Sequence, residues 1–501
     1  MTQKSEFQNS LTHHMVKSGT TVIFFTLLAA PIGYLIRMIN SRALSIEEFG
    51  LFYSLIAIFG IINNFNDLGF GYSLSYLVPK FIKNKETNKA WLAFKYVQII
   101  ELGSSLIIST ILFLLAGFLS KYYFKFDIAE SVLKILLVYF VAESFLSALN
   151  KFFIGLQREK YYSSVQSIKL SLTLIFSYIF FLLGHAKILW IAIAWSLSSI
   201  VTSIIYQYVF RKNSSTLRTH LSFDKSLFTR MYKYALPTLF ITSLGLVGRA
   251  VDNMFLILFK DLIQVGIYNV VISLAVISLI FLSPLNSILF PLISKLEDEP
   301  KKLKKLIEIL LKIIPYSALY FALFVFLYPS PILQTMFGSK WMYVAKLPLQ
   351  IAALVFILNP IDNFLSTITS GLGMVTEKAR ISTVLIILKV VLVAISTYLF
   401  GINGAILSNG LISIIGIFVN YSFNQKKVQY SIPIKTYISL AGIGIVIYII
   451  NYSVKFSPHG IVELIIAGVS YTIVYVAFGF LLRIVDRKSI ALIIENRKNF
   501  K

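Results

Sequence analysis

No cysteine occurs in the 501 residues, so disulfides and thiolate metal sites are excluded. Acidic residues are scarce, 22 against 46 lysines and arginines, and charged residues together make up only 14% of the chain. A soluble protein carries about a quarter. Five histidines (His13, His14, His185, His220 and His459) fall in loops or tails without metal-ligand spacing. Gly371-x-Gly373 lacks the strand and helix that frame a phosphate loop. The polar N-terminus, "MTQKSEFQNSLTHHMVKSG", leads into a full-length span without a small-residue cleavage site, so no cleavable signal is expected.

What is present is hydrophobic. Apolar residues are 57% of the chain, in runs of membrane-spanning length that recur from end to end. An all-α polytopic membrane protein is expected, with about 14 transmembrane helices at 19–40, 51–78, 97–119, 132–153, 164–183, 187–210, 234–257, 265–291, 305–327, 346–371, 380–399, 402–423, 436–452 and 461–482. Pro31, Pro237 and Pro360 fall inside spans, where neighbouring helices can satisfy the freed backbone groups. With both termini cytoplasmic, 31 of the 46 cations fall on the inner side and 8 on the outer, loop after loop. That is the positive-inside pattern. The net charge of +24 is thus topology and attraction to anionic membrane lipids, not nucleic-acid binding. The basic segment 211–233 reads either as a helix on the membrane surface or as a plain connector.

The chain repeats itself. "FGLFY" (Phe49 to Tyr53) recurs as "VGIYN" (Val265 to Asn269), a shift of 216. The same shift carries Gly155-Leu156 to Gly371-Leu372, and nearly the same carries Gly184 to Gly401. Two homologous six-helix lobes are expected, 19–210 and 234–423, joined by 211–233. A tail at 1–18, two further helices within 436–482 and a basic tail at 483–501 complete the chain. A repeat of six spans keeps both copies in one orientation, a design that builds transporters around a cavity between lobes.

"RALSIEEFGLFYSLIAIFGIINNFNDLGFGYSLSYLVPKF" (Arg42 to Phe81) resembles the first two helices of the polysaccharide flippases, the O-antigen-type members of the multidrug/oligosaccharidyl-lipid/polysaccharide exporter superfamily. "GLQREKYYS" (Gly155 to Ser163), "LNSILFPLISKL" (Leu285 to Leu296) and "GINGAILSN" (Gly401 to Asn409) resemble the same family, and the likeness covers essentially the whole chain. It implies two six-helix lobes facing each other in a V around a central cavity, plus helices 13 and 14. It also implies export of a polyprenyl-linked oligosaccharide across the cytoplasmic membrane by alternating access, with polysaccharide polymerase or assembly proteins as partners.

Charges inside spans are functional candidates. In the first lobe these are Arg37, Asp67 and Glu143; in the second, Arg249, Asp252, Asp362 and Lys389. Arg37 and Arg249 lie on equivalent helices, although Arg37 maps to Asn253, one turn from Arg249. Paired arginines suit the phosphate or pyrophosphate of a lipid-linked glycan, which an Arg fork binds bidentately. Lys389 would add a cation, and Asn63, Asn64, Asn66 and Tyr72 would contact sugar hydroxyls. Asp67, Glu143, Asp252 and Asp362 are the candidates for H⁺ or Na⁺ coupling; no other cofactor is expected. The competing reading is structural: Arg37 with Asp67, and Arg249 with Asp252, as ion pairs. Lys134, Lys151, Lys169, Lys312 and Glu101 lie near predicted span ends, where snorkelling is expected.

Three other functions compete. A multidrug cation antiporter of the same superfamily would want acids and aromatics rather than paired arginines. A peptidoglycan-lipid flippase differs little at the level of sequence. A membrane polymerase, ligase or glycosyltransferase would need a sizeable outer loop bearing acids or histidine, and the outer loops here are short. A transporter, not an enzyme, is expected.

Overall fold

The computed structural model describes residues 2–184, 187–213, 223–454, 456, 458–482 and 484, without the side chains of 2–19, 240, 241, 243, 244, 249, 283–288 and 291. In order the helices are α1 (Thr2–Ala43), α2 (Ile46–Asn66), α3 (Phe70–Lys83), α4 (Thr87–Phe118), α5 (Ile128–Gly155), α6 (Glu159–Leu182), α7 (Ile188–Asn213), α8 (Lys225–Phe259) and α9 (Leu262–Ala275). Then come α10 (Ile277–Lys295), α11 (Pro300–Leu327), α12 (Pro329–Phe337), α13 (Ser339–Val344), α14 (Lys346–Phe356), α15 (Leu358–Gly371), α16 (Val375–Gln425), α17 (Ile434–Val454) and α18 (Ile461–Leu481). A short π-helical turn, Leu119–Phe124, extends α4. No strand forms among the described residues.

Among the described residues, twelve helical stretches are long and apolar enough to cross a membrane. One of them, α16, is two helices. The Ser396 and Ser408 hydroxyls lie 3.2 Å apart, whereas a straight helix would separate them by about 18 Å. The corner is Gly401, at φ 59° and ψ −137°, a conformation open to glycine because it has no Cβ. Counting both arms of α16, and α8 with its apolar stretch Ala250–Phe259, the fourteen predicted spans are all present as helices.

Three predicted spans are broken. The span 51–78 is α2 and α3, parted at Asp67 to Gly69. Leu68 (φ 49°) and Gly69 (φ 80°) are both left-handed there, so the α2 hydrogen-bond ladder cannot continue. Asp67 Oδ1 accepts from Gly69 N at 2.8 Å and Oδ2 from Gly71 N at 3.1 Å, capping the new helix. The span 346–371 is α14 and α15; Pro360 in the first turn of α15 has no N–H to continue the ladder of α14. The span 265–291 is α9 and α10, parted at Val276. Other ends are set by caps. Ser45 and Glu48 form a reciprocal capping box at the start of α2 (3.0 and 2.9 Å), and Asp224 Oδ1 accepts from Leu227 N at the start of α8 (3.0 Å). Of the linker 211–233, residues 214–222 lie outside the described residues, and α8 begins at Lys225.

By their contacts the helices form two units, Met1–Gly266 and Ile267–Lys501. In the first, α3, α4, α5, the end of α7 and the start of α8 share a core in which Trp91 stacks on Phe210 (5.8 Å, 4°). In the second, α10, α11 and α15 share an equivalent core. There α18 is fastened to α11 by tyrosines: Tyr471 and Tyr475 donate to Tyr320 O and Tyr316 O, both at 2.7 Å. Lipid gives apolar helices little reason to associate, so close backbone contacts and interhelical hydrogen bonds such as these carry the packing.

The repeat is visible in those contacts. A Cβ on Gly155 would lie 2.9 Å from Val78 Cβ on α3; one on Gly371 would lie 2.9 Å from Ile293 Cβ on α10. Gly184 and Gly401 both turn the chain between helices at positive φ. Within the first unit, Gly50 and Gly266, 216 residues apart, meet in a self-complementary contact. A Cβ on Gly50 would strike Leu262 O, and one on Gly266 would strike Ile46 O. Ile46 and Leu262 are themselves 216 apart, so equivalent backbones touch reciprocally, as in an isologous interface.

Candidate functional site

The α2–α3 break brings three charges together. Lys151 Nζ on α5 lies 2.6 Å from Asp67 Oδ2 and 3.1 Å from Glu101 Oε1 on α4. Both acids are 1% exposed, so these are buried ion pairs in which one cation serves two carboxyls. Glu101 Oε2 has no hydrogen-bond partner among the described residues. A Cβ on Gly71 would collide with the Lys151 side chain, so glycine there is what admits the lysine. Asn66 is fully committed beside it. Its Nδ2 donates to Glu101 O (3.0 Å) and Ser144 Oγ (2.9 Å), and its Oδ1 accepts from Ser104 (2.7 Å). Asn63 accepts from Ser144 at 3.2 Å. Across the break Tyr72 OH lies 3.4 Å from Asn64 Oδ1, while the buried Asn64 Nδ2 has no partner among the described residues.

A second buried pair joins Glu143 on α5 to Lys169 on α6 at 2.7 Å. Ser199 on α7 donates to the other Glu143 oxygen at 3.2 Å, so one carboxylate ties three helices. Lys151, Lys169 and Glu101 therefore do not snorkel, contrary to the sequence-based expectation. The described α4 begins at Thr87 and α6 at Glu159, before the predicted span limits, which places Glu101 and Lys169 inside the bundle, while Lys151, near the end of α5, is drawn inward by Asp67 and Glu101. Lys134 does lie toward the surface, paired with Glu130 at 2.6 Å.

Arg37 is half-buried on α1, its guanidinium 4.6 Å from the Tyr53 ring centroid, with Asn40 donating to Tyr53 OH at 3.2 Å. It does not pair with Asp67, whose cation is Lys151. The Arg249 side chain lies outside the described residues, so its predicted partnerships with Arg37 and Asp252 are not part of the described geometry. Asp252 is buried on α8 at 2% exposure, and Lys389 is half-buried on the first arm of α16.

In the second unit the described polar side chains bonded around Asp362 are neutral. Asn420 Nδ2 donates to Asp362 Oδ1 at 3.3 Å, and no lysine or arginine pairs with it among the described residues. A Cβ on Gly416 would lie 2.6 Å from the same oxygen. Thr369 donates to Asn420 Oδ1 (3.1 Å) and Asn424 Oδ1 (2.9 Å), and Ser413 to Asn359 Oδ1 (2.7 Å). These bonds bind α15 to the second arm of α16.

Sequence reasoning missed one basic cluster. Lys80, Lys83 and Arg230 line a cavity of about 270 Å³ with Phe81, Asn84 and Glu86, where α3 ends against α8. In the sequence these cations count only toward the general basic excess of topology and attraction to anionic lipid. What brings them together is the α3–α8 packing, which no local pattern encodes.

Known proteins place the chain. Residues 15–297, more than half of it, match the family described as polysaccharide biosynthesis protein. An uncharacterized membrane protein of Methanocaldococcus jannaschii is 22% identical over 480 residues, covering 92% of this chain and 94% of that one. Among solved structures, a lipid II flippase MurJ in an inward closed conformation superposes with a TM-score of 0.74 at 14% identity, covering 92% of this chain and 98% of that one. An inward-facing multidrug resistance MATE family transporter of the MOP superfamily gives 0.66 at 15% identity, covering 81% and 98%. The chain therefore belongs to the polysaccharide biosynthesis protein family, as a multi-pass membrane protein with the fold shared by the MurJ and MATE transporters.

Proposed function

We propose that this protein moves a polyprenyl-(pyro)phosphate-linked oligosaccharide from the cytoplasmic to the outer leaflet of the cell membrane, by alternating access, for the synthesis of surface polysaccharide. The observation that carries this reading is the family match over residues 15–297. A relative of the same fold is a lipid II flippase, so a lipid-linked substrate suits the architecture. Arg37, seated over Tyr53 in the apolar stretch Thr20–Ala43 of α1, is the described intramembrane cation best suited to the phosphate, with Lys389 and Arg249 as further candidates. Lys80, Lys83 and Arg230 would receive the head group at the cytoplasmic edge. Asn64 and Tyr72 are better placed for sugar than Asn66, whose amide is fully bonded. Asp362, the acid without a described cation, is the first candidate for H⁺ or Na⁺ coupling. Asp67 and Glu143 are spent on lysines. Both termini are cytoplasmic in this reading, and polymerase or other assembly proteins would take up the product.

The test is export in cells that make a lipid-linked repeat unit but lack their own flippase. Wild type restores surface glycan, and Arg37→Ala at matched expression loses most of it. Export that survives Arg37→Ala removes the phosphate assignment. Efflux of lipophilic cations in place of glycan export would favour the antiporter reading, which the MATE likeness keeps in play.

A further inference from the structure

On the first unit, α4, α5 and α7 enclose a groove of about 1120 Å³. Its walls are almost wholly apolar, formed by Leu106, Leu114, Val138, Val141 and Ile204 among others. Leu114, Ile204 and Tyr208 are among the most exposed large side chains of the bundle, so the groove opens on the outer face of these helices. It runs along 12–13 residues of each helix, about 17 Å at a rise of 1.5 Å per step. Water gains little in so apolar a site; a hydrocarbon chain matches it in length and chemistry.

The two ends differ. At one, Lys134 is neutralised by Glu130 at 2.6 Å and lies 4.9 Å from the Phe113 ring centroid. At the other is Arg211 in the last turn of α7, exposed and without an acidic partner among the described residues. Gln207 stands one turn before it on the same face of α7. Its Oε1 is buried and has no hydrogen-bond partner among the described residues. One end thus offers a cation for a phosphate and an acceptor for a head-group hydroxyl, at a helix terminus where lipid head groups lie. The rest offers a channel for a tail.

We propose that this groove is a binding site for an anionic glycerophospholipid of the phosphatidylglycerol type, its phosphate on Arg211, its head-group hydroxyl toward Gln207 and an acyl chain along α4 and α5. The neutralised Lys134 end excludes the opposite polarity. The assignment rests on local geometry and holds whatever substrate the protein carries.

The test uses the full-length protein in detergent, by native mass spectrometry with phosphatidylglycerol and phosphatidylcholine of identical chains. Wild type should retain the anionic lipid about fivefold better, the worth of one interfacial cation. Arg211→Gln, at an exposed position, should bring the two lipids to parity. Val138→Trp, which fills the groove from an exposed position, should reduce retention of both. A phosphatidylglycerol carrying a photoreactive group at its chain terminus should crosslink to the groove-facing residues of α4 and α5. Equal retention by wild type, a preference unchanged in Arg211→Gln, or crosslinks elsewhere would overturn the site. Displacement of phosphatidylglycerol by a polyprenyl phosphate at equal concentration would overturn the choice of occupant.

Discussion

Glu143 in the first unit and Asn359 in the second are equivalent, 216 residues apart. Each accepts from a serine on a later helix: Ser199 to Glu143 at 3.2 Å, Ser413 to Asn359 at 2.7 Å. At the same shift Lys169, the cation of Glu143, becomes Leu385. The Asp67, Glu101 and Lys151 cluster becomes Ser283, Ser317 and Thr367. The reverse holds for the charges of the second repeat, since Asp362 maps back to Leu146 and Lys389 to Thr173. Carboxylate and lysine thus come and go together, while a serine-bonded acceptor is kept at Glu143 and Asn359, although the donors differ, since Ser199 maps to Ile415 and Ser413 to Leu197. A fold that works with an amide at this place does not need the ion pair for its architecture. A buried pair is also weak evidence of net stabilisation. Asp362 breaks the rule: among the described residues it is an acid bonded to Asn420 with no cation beside it.

Removing a cation should separate the units most. Lys151→Met leaves two buried carboxyls uncompensated and should cost about 3–5 kcal/mol, read as loss of folded monomer and a lower melting temperature in detergent. Adding Asp67→Asn and Glu101→Gln should recover most of it. Lys169→Leu alone should cost about 3 kcal/mol by the same cause. Lys169→Leu with Glu143→Asn copies the second repeat and should come within about 1–2 kcal/mol of wild type; failure of that rescue would mean the repeats are not interchangeable here. Gly266→Val, which forces Ile46 away from a backbone contact, should cost about 1–3 kcal/mol, with Gly50→Val matching it if the contact is self-complementary. Asp362→Asn should change stability least, by under about 1 kcal/mol, since no described cation is orphaned. It should instead flatten the dependence of transport on pH or Na⁺, measured in proteoliposomes.

The spans and the corner at Gly401 were legible because apolar run length and glycine carry their meaning locally. The break at Asp67 was written in "NDLG", an Asp and a Gly two apart, which is turn chemistry. Inside a long apolar run it read instead as a polar intrusion into one continuous helix. Glu101 and Lys169 were misplaced because polar first turns hid the true starts of α4 and α6, and Lys151 because it sits near the end of α5. Their partners come from other helices, at separations of 26 to 84 residues, which no periodicity encodes. The candidates Arg37, Asp67, Glu143 and Asp362 were found because charge inside a span is costly enough to mark a residue by itself. Which of them are spent on each other emerged only from packing.

The most direct test is transbilayer movement by the purified protein. Proteoliposomes would hold a lipid-linked oligosaccharide whose sugar is accessible to an external glycosidase only after it crosses. Wild type should convert the protected pool, Lys169→Leu with Glu143→Asn should keep that activity, and Arg37→Ala and Asp362→Asn should lose most of it while staying folded. Contradiction would be a folded wild-type protein that leaves the inner pool protected under every proton or Na⁺ gradient while it drives a lipophilic cation across the same membrane.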